Sequence, residues 1–205
     1  MIRKNENSKF FKRPLVFGFF LILFALLICV YEIYSNYCFI KNEENMIEDF
    51  FNHDYNYQNL TNLDSNVTAI PSKYIAVLEI EKIGLKTGLV NYDSTDNTVN
   101  KHVEILSGSK MPYIGHSTLI LAGHSGTSRV SYFKKLHLLD IEDKIYLYTK
   151  GQKFIYLITD KYKVNKNGKI SIRSNNTTLA LTTCDVDSDN KQLVVIAELS
   201  DVEGS

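Results

Sequence analysis

The residue best suited to covalent chemistry in this sequence is Cys184, which ends the stretch TTLALTTC. If this stretch is a β-strand, its alternation turns Leu179 and Leu181 to one face and Cys184 to the other. The face of Cys184 then carries only small or polar side chains, which leave room for a ligand. A thiol in such a groove can act as a nucleophile. A buried and inert cysteine is the alternative, and the pattern alone does not decide between the two.

A thiol nucleophile needs a nearby imidazole, which stabilises the thiolate. Of the five histidines, His116 and His124 bracket the apolar stretch STLILAG, which reads as a strand. Because strand ends often present catalytic side chains to a cleft, His124, at the carboxyl end, is the candidate partner of Cys184. A loop hydrogen bond is the alternative role for either histidine. The spacing of these histidines and Cys184 does not indicate a zinc site.

Composition excludes several classes of protein. Lys plus Arg and Asp plus Glu are equal at 23 each, so no net charge would attract nucleic acid. Three cysteines are an odd number and lack zinc-finger spacing, so they indicate neither a disulfide framework nor a metal site. The sequence also has no glycine-rich phosphate loop. We therefore expect a domain without a cofactor, without a metal and without a nucleic-acid partner.

The amino-terminal region has the composition of a membrane anchor. Residues 1–13 contain five Lys or Arg residues against one acidic residue, and LVFGFFLILFALLICVY follows without a charge. A membrane-spanning helix needs ~20 mostly apolar residues, and this run with its flanks reaches that length. A cleaved signal peptide is the alternative, but its apolar region is shorter and ends in small residues that are lacking here. The basic flank predicts a cytoplasmic amino terminus.

These patterns predict four parts of the chain. They are a cytoplasmic basic tail at 1–13, a transmembrane anchor at 14–35, an extracellular stalk at 36–72 and a catalytic domain at 73–205. Membrane lipid would thus be one partner of the chain. The stalk is rich in Asn and acidic residues, and only the stretch 46–51 within it resembles a helix.

The region after residue 73 reads mainly as short strands separated by turns. An Asn-Gly pair at 167–168 predicts a hairpin. One helix is expected at 131–138, with Ser131 as its cap and apolar residues at near-helical spacing. Seven or eight strands with one helix indicate a closed or nearly closed β-barrel. The strands are expected at 74–80, 85–90, 118–123, 144–148, 153–164, 169–172, 178–184 and 192–199.

Four pieces in this order resemble the sortase family: LILAGHS, an F-x-x-L helix, a strand ending in L-x-T-C, and LVVIAEL. The resemblance covers about residues 74–199, and the anchor and stalk are similar to the usual sortase topology. It implies a mainly β fold, an eight-stranded barrel with one or two short helices after a transmembrane helix. The chain is most similar to the short forms without large insertions.

The resemblance also implies an activity, that of a membrane-bound cysteine transpeptidase on a Gram-positive-type cell surface. Cys184 would attack the Thr–Gly bond of an LPxTG-like sorting signal and form a thioacyl enzyme, with His124 as the acid/base partner. An amine from a cell-wall precursor or a pilin would then resolve this intermediate. Thr183 and Ala180, beside Cys184, would be substrate-binding positions.

The sequence departs from the family pattern in two places. Ala180 stands where the usual T-L-x-T-C begins with Thr. The family arginine before the last strand is replaced by Gln192, with Lys191 beside it, and no arginine follows Arg173. Strand alternation turns Gln192 to the groove and Lys191 to the core side. Gln192 is therefore the candidate for the third catalytic residue, as a neutral hydrogen-bond donor, and Arg129 and Arg173 are candidate substitutes from elsewhere.

The departures keep two further functions open. One is a thiol peptidase or hydrolase on the same scaffold, in which water resolves the acyl enzyme. The other is a catalytically weak, sortase-like binding protein.

Overall fold

The computed structural model of this chain describes residues 8–60, 72–112, 116–166, 170–172, 176–188 and 190–204, with side chains from residue 16 onwards except 53–60. The chain divides into two compact units, Met1–Asn42 and Glu43–Ser205.

A single α-helix, α1, runs from Ser8 to Leu60. The apolar side chains between residues 16 and 34 are exposed on all sides of it, as Phe17, Phe24 and Ile33 illustrate. Such a surface has no polar face and suits a lipid environment rather than the surface of a water-soluble domain. The segment Val16–Asn52 is long and apolar enough, by length and composition, to cross a membrane.

Eight strands form one sheet in the order β2-β1-β5-β6-β8-β7-β4-β3, curled into a nearly closed barrel. This confirms the predicted mainly β, barrel-like fold preceded by an apolar helix. The strands are β1 Tyr74–Ile80, β2 Leu85–Val90, β3 Glu104–Ile105, β4 Thr118–Ala122, β5 Lys144–Thr149, β6 Gln152–Asn165, β7 Thr178–Cys184 and β8 Lys191–Gly204.

The neighbouring strands pair antiparallel, with one exception. The exception is β4 with β7, which run parallel from Thr118 opposite Thr178 to Ala122 opposite Thr182. The carboxyl ends of β4 and β7 therefore lie at the same edge of the sheet.

The barrel core follows the predicted alternation. Leu179 and Leu181 of β7 are fully buried in the main apolar cluster, together with Leu193 and Val195 of β8. Apolar side chains at every second position remove the inner face of each strand from water. This burial stabilises the fold by about 25 cal/mol per Å² of apolar surface. The other faces of β7 and β8 remain available for a site.

The prediction of a helix at 131–138 is wrong. The segment forms a series of turns that ends in a 3-10 helix, Leu136–Leu138. The backbone N–H of Phe133 donates to His124 O at 3.0 Å, and His124 lies outside the segment. The N–H of Lys134 donates to Ser131 O, three residues back, whereas an α-helix would place the acceptor four residues back. Ser131 does not cap a helix, since its hydroxyl pairs with that of Ser128 at 2.9 Å.

Two further predictions concern the connection between β6 and β7. The Asn-Gly hairpin at 167–168 lies outside the described residues. The described part of the strand expected at 169–172, residues 170–172, is not a strand. The side chains of Ile170 and Ile172 pack instead on the outer face of β7 and β8. The two-residue strand β3 was not predicted from the sequence.

The carboxyl-terminal part of α1 packs on the barrel. Ile47 and Phe50 lie one helical turn apart and are buried against Tyr74, Val77 and Val90 of β1 and β2. This is the spacing by which a helix covers an apolar sheet face. Residues 43–52 thus belong to the folded unit, although they lie in the segment predicted as a stalk.

Candidate active site

Cys184 is the last residue of β7, and its side chain is exposed. Its partner across the antiparallel pair with β8 is Gln192. Residues directly opposite each other in a sheet present their side chains to the same face. Cys184 and Gln192 therefore lie side by side on the outer face, where the sequence analysis expected them.

His124 follows the end of β4 at the same edge of the sheet. The parallel register pairs Ala122 with Thr182, and Gly123 N continues the ladder by donating to Thr182 O at 3.2 Å. Extended to the next residues, this register brings His124 level with Cys184. Neighbouring strands lie about 4.8 Å apart, so three strands bring His124, Cys184 and Gln192 into one row.

The backbone before His124 is fixed by contacts on two sides. The hydroxyl of Thr183 donates to Gly123 O at 2.7 Å, in the interior. On the other side the Phe133 ring packs so closely that a Cβ on Gly123 would lie 2.9 Å from it. The Phe133 N–H also binds the carbonyl of His124 itself. Only glycine fits this position, and the contacts hold the His124 backbone at a defined place beside β7.

Asn100 contacts the His124 ring, and sequence analysis missed it. The distance between His124 Nε2 and Asn100 Oδ1 is 3.1 Å. Because a carbonyl oxygen can only accept, Nε2 is the protonated nitrogen in this contact. Asn100 lies in a polar loop 24 residues before His124, and no local sequence pattern marks it.

Three of the other four histidines have described side chains, and these three lie apart from this row. His116 is exposed before β4, and His137 is exposed in the 3-10 helix. His102 is buried against the Tyr74 ring, where desolvation lowers its pKa below the ordinary value. The side chain of His53 lies outside the described residues.

The predicted substitutes for the family arginine are placed as follows. Gln192 is half-buried beside Cys184, and Lys191 is exposed. Arg129 is exposed in the turns after β4, and Arg173 lies outside the described residues. Gln192 is thus the residue in the row with Cys184, and it brings an amide donor rather than a cation.

An ion pair fixes the turn that follows Cys184. Lys163 on β6 contacts Asp185 Oδ1 and Asp187 Oδ2, each at 2.8 Å, and the Asp185 side chain is only 3% exposed. Asp185 N also donates to Lys191 O at 3.0 Å. The hydrogen bond from Lys163 holds the pKa of Asp185 below its ordinary value, and the two aspartates raise the pKa of Lys163. Asp185 and Asp187 are close in the sequence, whereas Lys163 lies 24 residues before Asp187.

The two predicted substrate-binding positions are both buried. Thr183 points to the inner side and binds Gly123 O, so it joins the two strands. Ala180 lies on the outer face and belongs to a small apolar cluster on the same face as Cys184 and Gln192. The other members of this cluster are Ile120, Tyr162, Val164, Ile170, Ile172, Val194 and Ile196.

Metal chemistry has no support among the described side chains, since they contain no group of three or more His, Cys, Asp or Glu residues that could hold an ion. The arrangement can instead perform thiol chemistry: a nucleophile, an oriented imidazole, a neutral amide donor and an apolar surface leading to them.

Comparisons with known proteins agree with this fold. A sortase A of Listeria monocytogenes superposes with a TM-score of 0.55 at 18% identity, over 65% of this chain and 91% of that one. A sortase D5 transpeptidase of Clostridium perfringens superposes with a TM-score of 0.59 at 20% identity, over 78% and 98%. A sortase E1 of Streptomyces coelicolor, solved with a tripeptide in its active site, gives 0.55 at 17%, over 64% and 91%.

These superpositions show the fold, and no curated protein sequence gave a significant match. The family model for the sortase domain matches residues 78–200, which is more than half of the chain. This protein therefore belongs to the sortase family.

Proposed function

We propose that this sortase cleaves an LPxTG-like sorting signal through Cys184 and joins the acyl product to an amine of the cell wall or of a pilin. The observation that carries the proposal is the strand register, which pairs Cys184 with Gln192 and, extended two residues beyond Ala122, brings His124 level with Cys184. Family membership supports a sortase-type transpeptidase in general. The substrate and the roles of the residues are our inference.

In the acylation step the Cys184 thiolate attacks the carbonyl carbon of the scissile peptide bond. The carbonyl π electrons move to the oxygen, and the Gln192 amide donates a hydrogen bond to this oxyanion. When the tetrahedral intermediate collapses, the C–N bond breaks and the His124 imidazolium gives its proton to the leaving amine. The products are a thioester on Cys184 and a free amine.

In the second step an incoming amine attacks the thioester carbon. Neutral His124 accepts the proton that the amine loses, and the C–S bond breaks to release the Cys184 thiolate. In this proposal the hydrogen bond between Nε2 and Asn100 orients the His124 ring, and Nδ1 is the nitrogen that exchanges the proton in both steps. If water replaces the amine, the same residues perform hydrolysis.

The apolar cluster beside the row would bind the substrate. Ala180, Val194 and Ile196 form its floor, and Ile170 and Ile172 pack on it from the β6–β7 connection. The Tyr162 hydroxyl holds this connection by donating to Ser171 O at 3.1 Å. An apolar cluster of this kind suits an apolar side chain of an extended peptide, and the leucine of an LPxTG-like signal fits that requirement.

Gln192 is the residue that sets the expected strength of oxyanion binding. One oxyanion donor contributes roughly 10²–10³-fold in rate, and a charged donor binds an oxyanion more strongly than a neutral one. We expect Gln192→Ala to lower single-turnover acylation and Gln192→Arg to preserve or raise it. Lys191→Ala is the matched control, because Lys191 is exposed on the other side of the strand. If Gln192→Ala acylates at the parent rate while Lys191→Ala does not acylate, this assignment is wrong.

The test of the proposed function uses the full chain in detergent with an LPxTG peptide, with and without an amine. Ligation that depends on the amine and is lost in Cys184→Ala supports the proposal. Cleavage alone, with no ligation at saturating amine, would replace it by a thiol peptidase. Binding without turnover, in a protein whose Cys184 is intact, would replace it by a sortase-like binding protein.

The proposal includes membrane anchoring through residues 14–35, with the amino terminus in the cytoplasm and the domain outside. The exposed apolar surface of α1 and the preceding basic residues support this orientation. Protease added to intact cells stripped of their wall should digest the domain. A domain that survives in intact cells but is digested after lysis would reverse the orientation.

A further inference from the structure

Residues 43–52 of α1 place a buried carboxylate against β1 and β2. Glu43 is only 8% exposed, while its sequence neighbour Glu44 is exposed. Among the described side chains, no Lys, Arg or His forms an ion pair with Glu43. A buried carboxylate without a cation is costly unless several donors compensate for the lost water.

Three donors from β1 and β2 converge on Glu43. The Tyr74 hydroxyl donates to Oε2 at 2.7 Å, and Thr87 Oγ1 and Gly88 N donate to Oε1 at 3.0 and 3.2 Å. Gly88 has no side chain because the Tyr74 ring occupies that space; a Cβ there would lie 2.0 Å from the ring. Burial, with the nearby Glu43 charge, raises the pKa of Tyr74, which therefore stays a donor. Glu43 thus fixes the position of the Tyr74 ring.

The Tyr74 ring in turn contacts the loop 91–103, which joins β2 to β3. The His102 ring lies edge-on to it, with 5.7 Å between the centroids. Beside this contact, Lys73 pairs with Asp96 of the same loop at 3.4 Å. The start of β1 therefore holds the loop at two points.

The same loop carries Asn100, which binds the His124 ring. The loop is also tied to β3, where Asn97 exchanges two hydrogen bonds with the Ile105 backbone, at 2.8 and 3.0 Å. The Val99 N–H also donates to the Glu104 carboxylate at 3.0 Å. Asn100 lies between the β1 and β3 attachments, so both contribute to its position.

From these contacts we infer that Glu43 is a positioning residue of the active site, which acts through Tyr74, His102 and Asn100 on the His124 ring. The inference depends on the proposed role of His124 as the acid/base partner of Cys184. It makes the docking of residues 43–52 of α1 a requirement for a fully active domain.

The test is a double-mutant cycle between residues 43 and 100 in the full chain, because coupled residues give non-additive effects. Its readout is the rate at which iodoacetamide alkylates Cys184, measured by mass spectrometry of the Cys184 peptide, since Cys29 and Cys38 are also free. Acylation by an LPxTG peptide is the second readout. Alkylation needs no sorting signal, so it reports positioning even if the proposed substrate is wrong.

We expect Asn100→Ala to slow both reactions roughly tenfold, the value of one hydrogen bond to a charged ring. Glu43→Ala should slow them by no more than Asn100→Ala does, and the double variant should be no slower than Asn100→Ala alone. Glu43→Gln should retain most of the rate, because its amide can still accept from Thr87 and Gly88 and donate to Tyr74. Glu44→Ala is the control and should change neither rate.

If the rate losses of the two single variants multiply in the double variant, the inference is wrong and Glu43 has a purely structural role. A Glu43→Ala protein that melts at a lower temperature but reacts at the parent rate would overturn it as well. If Glu43→Ala does not fold, Tyr74→Phe removes one hydrogen bond to the same carboxylate and takes its place in the cycle. Coupling in alkylation without any peptide acylation would reject the proposed substrate and keep the positioning role.

Discussion

Replacing Thr183 by valine removes the side-chain hydrogen bond from β7 to Gly123, just after β4, and leaves the backbone hydrogen bonds between the two strands in place. Valine has nearly the same shape, so no cavity forms, but Gly123 O loses the donor that lies 2.7 Å away. Thr183 is 6% exposed, and water therefore has little access to the carbonyl. The substitution acts on the residues immediately before both His124 and Cys184.

The expected size follows from this burial. A lost hydrogen bond that leaves a buried acceptor without a donor costs about 1–3 kcal/mol. For a domain of this size, each kcal/mol lowers the melting temperature by about 2–4 °C. Because small displacements of reacting groups are costly, acylation should fall by up to about 10²-fold. Activity should thus fall further than the stability change alone would explain.

The assay compares melting temperature with single-turnover acylation at a temperature where every variant is folded. Thr182→Val is the control, because Thr182 Oγ1 also makes a buried hydrogen bond, to Leu193 O at 3.2 Å, but toward β8 rather than β4. It should show a similar loss of stability and a smaller loss of acylation. Thr183→Ser keeps the hydroxyl and should acylate nearly as fast as the parent.

Equal losses of acylation in Thr182→Val and Thr183→Val would refute the reasoning, since the link to His124 would then have no special effect. A Thr183→Val protein with the parent's melting temperature and rate would refute it more directly.

Three further predictions concern the same edge of the sheet. His124→Ala should lower acylation roughly 10²–10⁴-fold, whereas His116→Ala, on an exposed side chain, should change it little. Cys184→Ala should abolish the covalent adduct in mass spectra and leave the melting temperature nearly unchanged, because the side chain is exposed. Lys163 lowers the pKa of Asp185, so their ion pair stabilises the fold above the ordinary carboxyl pKa and is lost as pH falls through the lowered value. Lys163→Met should therefore show a weaker fall of melting temperature between neutral and acid pH than the parent; equal pH profiles would contradict this.

Strand alternation was sufficient to predict much of the site. The alternation of side chains along a strand predicted that Leu179 and Leu181 face the core. It also predicted that Cys184 and Gln192 face outward, and the structure places all four residues in this way. These are local properties of one strand, and a single sequence contains them. The confirmed barrel-like fold followed from the same periodicity, repeated along the chain.

What could not be predicted depends on contacts between distant segments. Nothing near Asn100 or Glu43 in the sequence indicates which groups they meet, because their partners lie 24 to 45 residues away. The helix expected at 131–138 does not form, and the reason is related. Its apolar spacing was correct, and Phe133 and Leu136 are fully buried, but tertiary hydrogen bonds replaced the helical ones.

The parallel pairing of β4 with β7 has a consequence for how the protein acquires its reactivity during folding. It joins residues sixty positions apart, such as Thr118 and Thr178, and β5 and β6 lie between them in the chain. Contacts of such long sequence separation form slowly, since the chain must close a large loop before they stabilise it. Until then the His124 ring and the Cys184 thiol belong to separate parts of an open polypeptide. On the proposed mechanism the pair of thiol and imidazole forms only with the completed sheet, so a partly folded chain would lack the proposed site.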